Sequence, residues 1–190
     1  MRQFDEAAVM EIALSVFWQQ GMAATSMPDL AQATGVQRGS LYNAYGDKEA
    51  IFLRAFDLYA ERFLASARAS LAGETAEDVL RGFFRAAIAN MTGGTPRRGC
   101  LTTKTASDGS AALPRVREAL KRFLDALTDV VEEALDQPVL RAQLAVEPAR
   151  AAKVIVTFTR GLAVMERVHG DRDGLLELAE TLSASLVRSR

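Results

Sequence analysis

Gln37-Arg38-Gly39-Ser40-Leu41-Tyr42-Asn43 brings together side chains that read nucleobases. Arginine meets guanine through two acceptors at once, and glutamine or asparagine makes the same two-point contact with adenine. Serine reaches a base edge or a phosphate. Further along, Arg97-Arg98-Gly99-Cys100 sets the chain's single cysteine beside two cations, at or near a helix start. That setting favours thiolate over thiol. Other chemistries find little support. One histidine and one cysteine are too few for a zinc site without help from carboxylates or another subunit. No Ser/His/Asp or Cys/His pair has catalytic spacing, no glycine-rich phosphate loop occurs, and no carboxylate pair stands apart from the surface. The reading is therefore of no enzyme, no metal and no cofactor.

Base reading needs such side chains at the N-terminal end of a helix that enters the major groove, and the flanking residues supply one. Ser26 is a good N-cap, and Asp29 three residues later completes a capping box. Pro28 falls in the first turn, where its missing N–H has no partner to lose. Leu30, Ala31 and Thr34 are expected to face inward, Gly35 to end the helix with a positive φ, and Val36 to bury at the turn. A second helix of about two turns follows from Arg38 to Ala44 or Tyr45. Gly46 breaks it and Asp47 caps the next. Two short helices joined by a glycine-containing turn form a helix-turn-helix.

This stretch resembles the DNA-binding segment of the tetracycline-repressor (TetR) family. The matching residues are Thr25-Ser26, Leu30-Ala31, Gly35-Val36, Gly39-Ser40-Leu41-Tyr42, Tyr45 and Asp47-Lys48-Glu49-Ala50, preceded by Phe17-Trp18-Gln19-Gln20-Gly21. The rest of the chain agrees with the family in length and helical character, not in motif. The resemblance implies a homodimeric transcriptional regulator, by family habit a repressor. It would bind a palindromic double-stranded operator and be released by a small-molecule effector. It sets Gln37, Arg38, Ser40 and Asn43 against bases, Tyr42 and Lys48 on phosphates, and Thr25 at the start of the second helix. Tyr45 would pack beneath the head or touch a phosphate. Gly39 would avoid a Cβ clash with the DNA backbone or a neighbouring helix. Gln37 stands where many relatives have Ser or Thr, and Asn43-Ala44-Tyr45 where many have paired aromatic or His residues before a Phe. The operator sequence is therefore out of reach.

Charge argues the other way. The net charge is −1 over 190 residues. Residues 1–50 hold three bases (Arg2, Arg38, Lys48) against six acids (Asp5, Glu6, Glu11, Asp29, Asp47, Glu49). Phosphate neutralisation by Lys and Arg usually carries DNA affinity. Here hydroxyls, backbone N–H groups and helix N-termini must do much of it, and non-specific binding is expected to be weak. The acidic head is what favours the alternative, a helical ligand-binding module without DNA function.

The remaining pattern predicts an all-α fold of about nine helices. Residues 1–46 form a three-helix DNA-binding head, and 47–190 form a ligand-binding and dimerisation body. A first helix from Asp5 to Gln20 presents Val9, Ile12, Ala13, Val16 and Phe17 on one face. Trp18 is expected to be core. Further helices run from about Asp47 to Leu71, Ala76 to Met91, Cys100 to Ser107 and Leu113 to Leu135. Thr92 to Pro96 is a loop, and a polar connector follows Gln137-Pro138. The eighth helix, from Pro148 to Val168, is apolar nearly all round and so needs a core or a partner. The ninth starts at Asp171. By resemblance these last two pair with their twins in the dimer, with Gly161 and Ala163 allowing close approach. His169 at the eighth helix's end suits the negative helix terminus. Phe56, Tyr59, Phe63, Phe84, Cys100, Phe123 and Phe158 are the tentative ligand-pocket residues. Cys100 is either a sensor or buried core. No apolar run reaches the 18 residues of a membrane span, and no signal-peptide pattern opens the chain. The lone cysteine fits a reducing cytoplasm.

Overall fold

The computed structural model describes residues 4–94 and 97–188. Arg2, Thr95 and Pro96, which figure in the sequence reading, lie outside the described residues. Among the described residues there are ten α-helices and one 3₁₀ turn. The helices are α1 (Glu6–Gln20), α2 (Met27–Thr34), α3 (Arg38–Tyr45), α4 (Lys48–Ser70), α5 (Ala76–Thr92), α6 (Leu101–Ser107), α7 (Pro114–Leu135), α8 (Pro138–Arg141), α9 (Pro148–His169) and α10 (Arg172–Leu186). The 3₁₀ turn is Ser110–Ala112. The helix beyond the expected nine is α8, a single turn opened by Pro138 and held by buried Leu140, where a polar connector was expected. Cys100 falls just before α6 rather than inside it.

The caps follow from local chemistry. The Asp5 carboxylate accepts the amide N–H groups of Ala7 and Ala8 at 3.0 and 3.2 Å, satisfying two orphan donors at the start of α1. Ser26 and Asp29 form the reciprocal box: Asp29 N–H donates to Ser26 Oγ at 3.3 Å, and Ser26 N–H to Asp29 Oδ2 at 2.8 Å. The Ser26 hydroxyl, then its backbone N–H, holds the Asp29 carboxyl below its ordinary value. Gly35 closes α2 at φ 67°, a left-handed conformation that glycine adopts without strain.

The chain divides into two compact units. The first contains the described residues up to Glu61 together with Leu101–Lys121, so α6 and the start of α7 join the N-terminal helices. α1 packs on α2, and α2 on α3. Its core is a run of aromatic rings. Phe17 meets Phe52 edge-on at 5.2 Å, Phe52 stacks on Phe56 at 5.7 Å, Phe56 meets Tyr59 at 5.7 Å, and Tyr59 meets Trp18 edge-on at 5.0 Å. Each fully buried large side chain contributes about 1.5–3 kcal/mol of transfer free energy. The inward face of α1 is Val9, Ala13, Leu14, Phe17 and Trp18, so Ile12 and Val16 are only partly buried. On α2 only Met27 and Leu30 are fully covered, because two turns of helix offer one inward row; Ala31, Thr34 and Val36 stay partly exposed.

In the second unit α5 packs against α9 and α10. Val79, Leu80, Phe83, Phe84 and Ile88 of α5 meet a core to which α9 gives Ile155 and Leu162 and α10 gives Leu175 and Ala179. The helix that read as apolar all round resolves into two faces. Ala151, Ala152, Ile155, Val156, Thr159, Leu162, Ala163 and Glu166 are buried, whereas Val154, Val164, Met165 and Val168 are exposed. Ala163 therefore belongs to the chain's own core, not to an outer contact. Gly161 lies on the exposed side, with nothing within 4 Å of where its Cβ would be.

Candidate nucleic-acid interface

α3 is organised by two buried residues, Leu41 and Tyr45, four apart on one face. Everything else of that helix is turned outward. Gln37, Arg38, Gly39, Tyr42 and Asn43 are exposed and Ser40 is partly so. Gln37 makes no side-chain cap bond, which leaves its amide at the helix's N-terminal tip. The Arg38 guanidinium lies 5.5 Å from the centre of the Tyr42 ring, a cation–π contact that keeps the two side chains together on the surface. A Cβ at Gly39 would meet nothing within 4 Å in the chain. A neighbouring helix is thus not the reason for glycine there. The outer surface of α3 offers one cation, two amides and two hydroxyls around a position without a side chain, a set suited to close approach by a polyanion.

Three of the predicted residues lie elsewhere. Thr25 is 1% exposed and its hydroxyl donates to the Gly21 carbonyl at 2.7 Å. Tyr45 is 6% exposed, its ring facing Phe4 at 6.0 Å and carrying the Arg54 guanidinium at 5.2 Å. Its hydroxyl is buried without a hydrogen-bond partner among the described residues. Burial, then the nearby Glu6 charge, raises its pKa. Lys48 is the largest departure. Its ammonium donates to the carbonyls of Met22, Ala23 and Thr25 at 2.9, 3.4 and 2.7 Å. An ammonium has three N–H groups, and all three are committed to the loop between α1 and α2. A phosphate contact would require one of them to be broken.

The residues expected around a ligand fall in both units. Phe56 and Tyr59 belong to the aromatic run of the first. In the second, Phe63 meets Phe123 edge-on at 5.6 Å, and Phe84 meets Phe158 at 5.8 Å. Cys100 is buried, and Arg160 Nη1 lies 3.5 Å from its sulfur. A cavity of about 600 Å³ opens in the second unit against α8 and the start of α9, lined by Pro138, Arg141, Leu144, Val146, Pro148 and Arg188 among others. None of the predicted pocket residues lines it. Arg141 there is already engaged by Asp136 at 3.1 Å and Glu147 at 2.8 Å. His169 is exposed at the end of α9, and the C-cap carbonyl beside it, that of Gly170, accepts from Arg97 at 2.7 Å.

Sequence reasoning missed Lys104 of α6 and Asp108 just after it. Lys104 donates to the carbonyls of Trp18 and Gln19, and Asp108 accepts the Ala23 N–H at 3.2 Å. No local pattern announces contacts between residues so far apart in the chain.

Comparison with known proteins agrees with this geometry. Residues 9–55 match the family model for bacterial regulatory proteins of the tetR family, and residues 76–182 match that for the tetracyclin repressor-like C-terminal domain. The HTH-type transcriptional repressor ComR of Escherichia coli K12 is 28% identical over 183 residues, 94% of this chain and 87% of ComR. Among solved structures, a cysteine variant of the TetR family regulator CifR, complexed with 26-bp double-strand operator DNA, superposes with TM-score 0.86 at 26% identity. That match covers 97% of this chain and 98% of CifR. A TetR transcriptional regulator from Legionella pneumophila, at 19% identity and TM-score 0.80, shares the fold over 99% of this chain and all of its own.

Proposed function

The chain belongs to the tetracycline-repressor family of helix-turn-helix transcriptional regulators, and from that premise we propose that it is a cytoplasmic homodimeric repressor whose α3 reads a near-palindromic operator. One observation carries the reading. α3 buries only Leu41 and Tyr45 and turns Gln37, Arg38, Ser40, Tyr42 and Asn43 outward around the open position Gly39. Arg38 is assigned to guanine and Gln37 or Asn43 to adenine. Tyr42 and Ser40 serve phosphates or base edges, while Thr25, Tyr45 and Lys48 hold the head from within. Residues 1–46 carry recognition. Residues 47–190 carry effector binding and dimerisation through the exposed faces of α9 and α10, where Val154, Gly161, Val164, Met165 and Leu178 lie outward. A twofold dimer presents two α3 helices to two related half-sites. Release follows from a small molecule bound in the body, or from modification of Cys100, whose sulfur has a guanidinium donor beside it. Either input must favour one of two head arrangements to work.

The test is an electrophoretic shift and footprint with the DNA directly upstream of the chain's own gene. A protected site with inverted half-sites is expected. Binding that is equally weak to all sequences would remove the reading and favour a helical ligand-binding module.

A further inference from the structure

Arg38 opens α3, and Tyr42 stands one turn further on, at the i,i+4 spacing that makes two side chains neighbours on a helix surface. Helical side chains lean back toward the N-terminus, so a ring at 42 lies over the turn that carries residue 38. The Arg38 guanidinium carbon is 5.5 Å from the centre of the Tyr42 ring. The ring is 41% exposed, and the inner face of α3 is closed without it by Leu41 and Tyr45. Packing therefore gives no reason for an aromatic residue at this position. Among the described residues Arg38 forms no ion pair with a carboxylate. Other cations of the first unit are held by backbone: Lys48 by the carbonyls of Met22 and Thr25, Arg117 by those of Ala111 and Ala112. Arg38 is held by a ring. That contact commits none of its five N–H groups to an acceptor, so the whole guanidinium fork stays available. Gly39 beside it adds no side chain to obstruct approach.

We propose that Tyr42 is a positioning residue for base reading: its ring holds the Arg38 guanidinium in the pose that meets guanine, and so sets discrimination at a base that Tyr42 does not itself read. This rests on the DNA-binding reading above and goes beyond it, since a phosphate or base-edge contact of Tyr42 needs only the hydroxyl. The physical reason is entropy. A free arginine side chain samples many rotamers, and the two-point contact with guanine O6 and N7 selects few of them. A ring against the guanidinium removes part of that freedom before DNA arrives, which favours the matched complex. An unrestrained guanidinium would settle as readily on a phosphate, where it carries no sequence information.

The experiment uses the full-length chain, the operator fragment that the wild type protects, and the same fragment with one base pair per half-site replaced. The replaced pair is the one at which Arg38→Ala loses preference. The readout is the discrimination ratio, affinity for the operator over affinity for the replaced fragment. Tyr42→Phe keeps the ring and should keep the ratio, while affinity for both fragments falls by whatever the hydroxyl contributes. Tyr42→Leu removes the ring and should lower the ratio about two- to fivefold, the range of an exposed cation–π contact. Tyr42→Ala should do the same without adding apolar surface, and it decides the matter if the leucine variant associates or fails to fold. With Arg38 already replaced by Ala, the loss of operator affinity caused by Tyr42→Leu should be smaller by the same about two- to fivefold, since no guanidinium remains to be held. A merely structural role would weaken both fragments alike, with or without Arg38. An unchanged ratio in Tyr42→Leu and Tyr42→Ala overturns the proposal. So does a ratio that falls as far in Tyr42→Phe as in Tyr42→Leu, which would assign the effect to the hydroxyl, or a Tyr42→Leu loss that is the same in both Arg38 backgrounds. Arg38→Ala weakening on every sequence alike removes the guanine assignment, and the proposal with it. A wild-type chain that protects no site overturns the DNA-binding reading itself.

Discussion

Replacing Lys48 by Met separates two jobs that one cation could hold. The family resemblance sets this side chain on a phosphate, whereas the geometry spends all three of its N–H groups on loop carbonyls at 2.9, 3.4 and 2.7 Å. The 3.4 Å contact is long and adds little, so the two shorter bonds carry most of the energy. A hydrogen bond to a charged group nets about 1.5–3 kcal/mol when well buried. This ammonium is only partly buried and water can replace it at the carbonyls, so about 2 kcal/mol for the whole cluster is the expected loss of stability. Urea unfolding measures it as a lower midpoint at unchanged slope. Operator titration at several salt concentrations measures the second job. A lost phosphate contact lowers the log–log slope by about 0.9, but a lysine already saturated by carbonyls should leave it unchanged. Operator affinity falls only as far as the loop loosens. Stability within about 0.5 kcal/mol of wild type, together with a slope reduced by about one, would show that the ammonium leaves the loop for DNA.

Other perturbations test other contacts of the same structure. Arg38→Ala should cost about 1–3 kcal/mol of operator binding and relax preference at one base position per half-site; equal weakening on every sequence would make Arg38 a phosphate contact. Tyr45→Phe removes a buried hydroxyl that has no partner, so thermal stability should be unchanged or higher by up to about 1 kcal/mol. The pKa of Tyr45 is raised, so the folded state holds its proton more tightly; its contribution to stability is full below about pH 10 and is lost as pH rises beyond that. The Phe variant should lack that alkaline decline, and an identical decline in both proteins would assign it to other groups. Gly161→Leu meets open space within the chain, so the protomer should fold, yet sedimentation should show monomers that fail to bind operator. A dimeric Gly161→Leu protein would move the interface away from this face of α9.

The helix-turn-helix was legible because its signals are local. Ser26, Asp29 and Gly35 act on backbone within four residues of themselves, so residue type alone predicts the box and the left-handed cap that the structure shows. Periodicity found the long helices and caps and breakers the short ones, but α8 escaped because one turn has no period. Faces were harder than elements. α9 read as uniformly apolar, and only packing against α5 and α10 separates buried Ile155 and Leu162 from exposed Val164 and Val168. Lys48 shows the deeper limit. Its motif position was plain, but its partners are carbonyls, and every residue has one, so no spacing could have pointed to Met22, Ala23 and Thr25. Lys104 and Asp108 were invisible for the same reason, their acceptor and donor being backbone groups of a distant turn.

The shortage of positive charge in the head takes on a different meaning once the cations are placed. Lys48 is bound to backbone of the α1–α2 loop and Lys104 to the last turn of α1, Arg54 lies over the Tyr45 ring, and Arg115 stands 3.6 Å from Glu49. Of the described cations in the first unit, Arg38 is the one on the outer face of α3. A head built this way gains little from counterion release, the term that supplies sequence-independent affinity. What it keeps is a hydrogen-bonded frame that turns Gln37, Arg38, Ser40 and Asn43 outward. On the proposed reading, contacts from these side chains repay binding only when the bases match, and a mismatch leaves polar groups unpaired. An acidic head is therefore no argument against DNA recognition here. On the proposed reading it shifts the balance from affinity toward discrimination, and it makes the pose of the α1–α2 loop matter more than it would in a head held to DNA by many phosphate contacts.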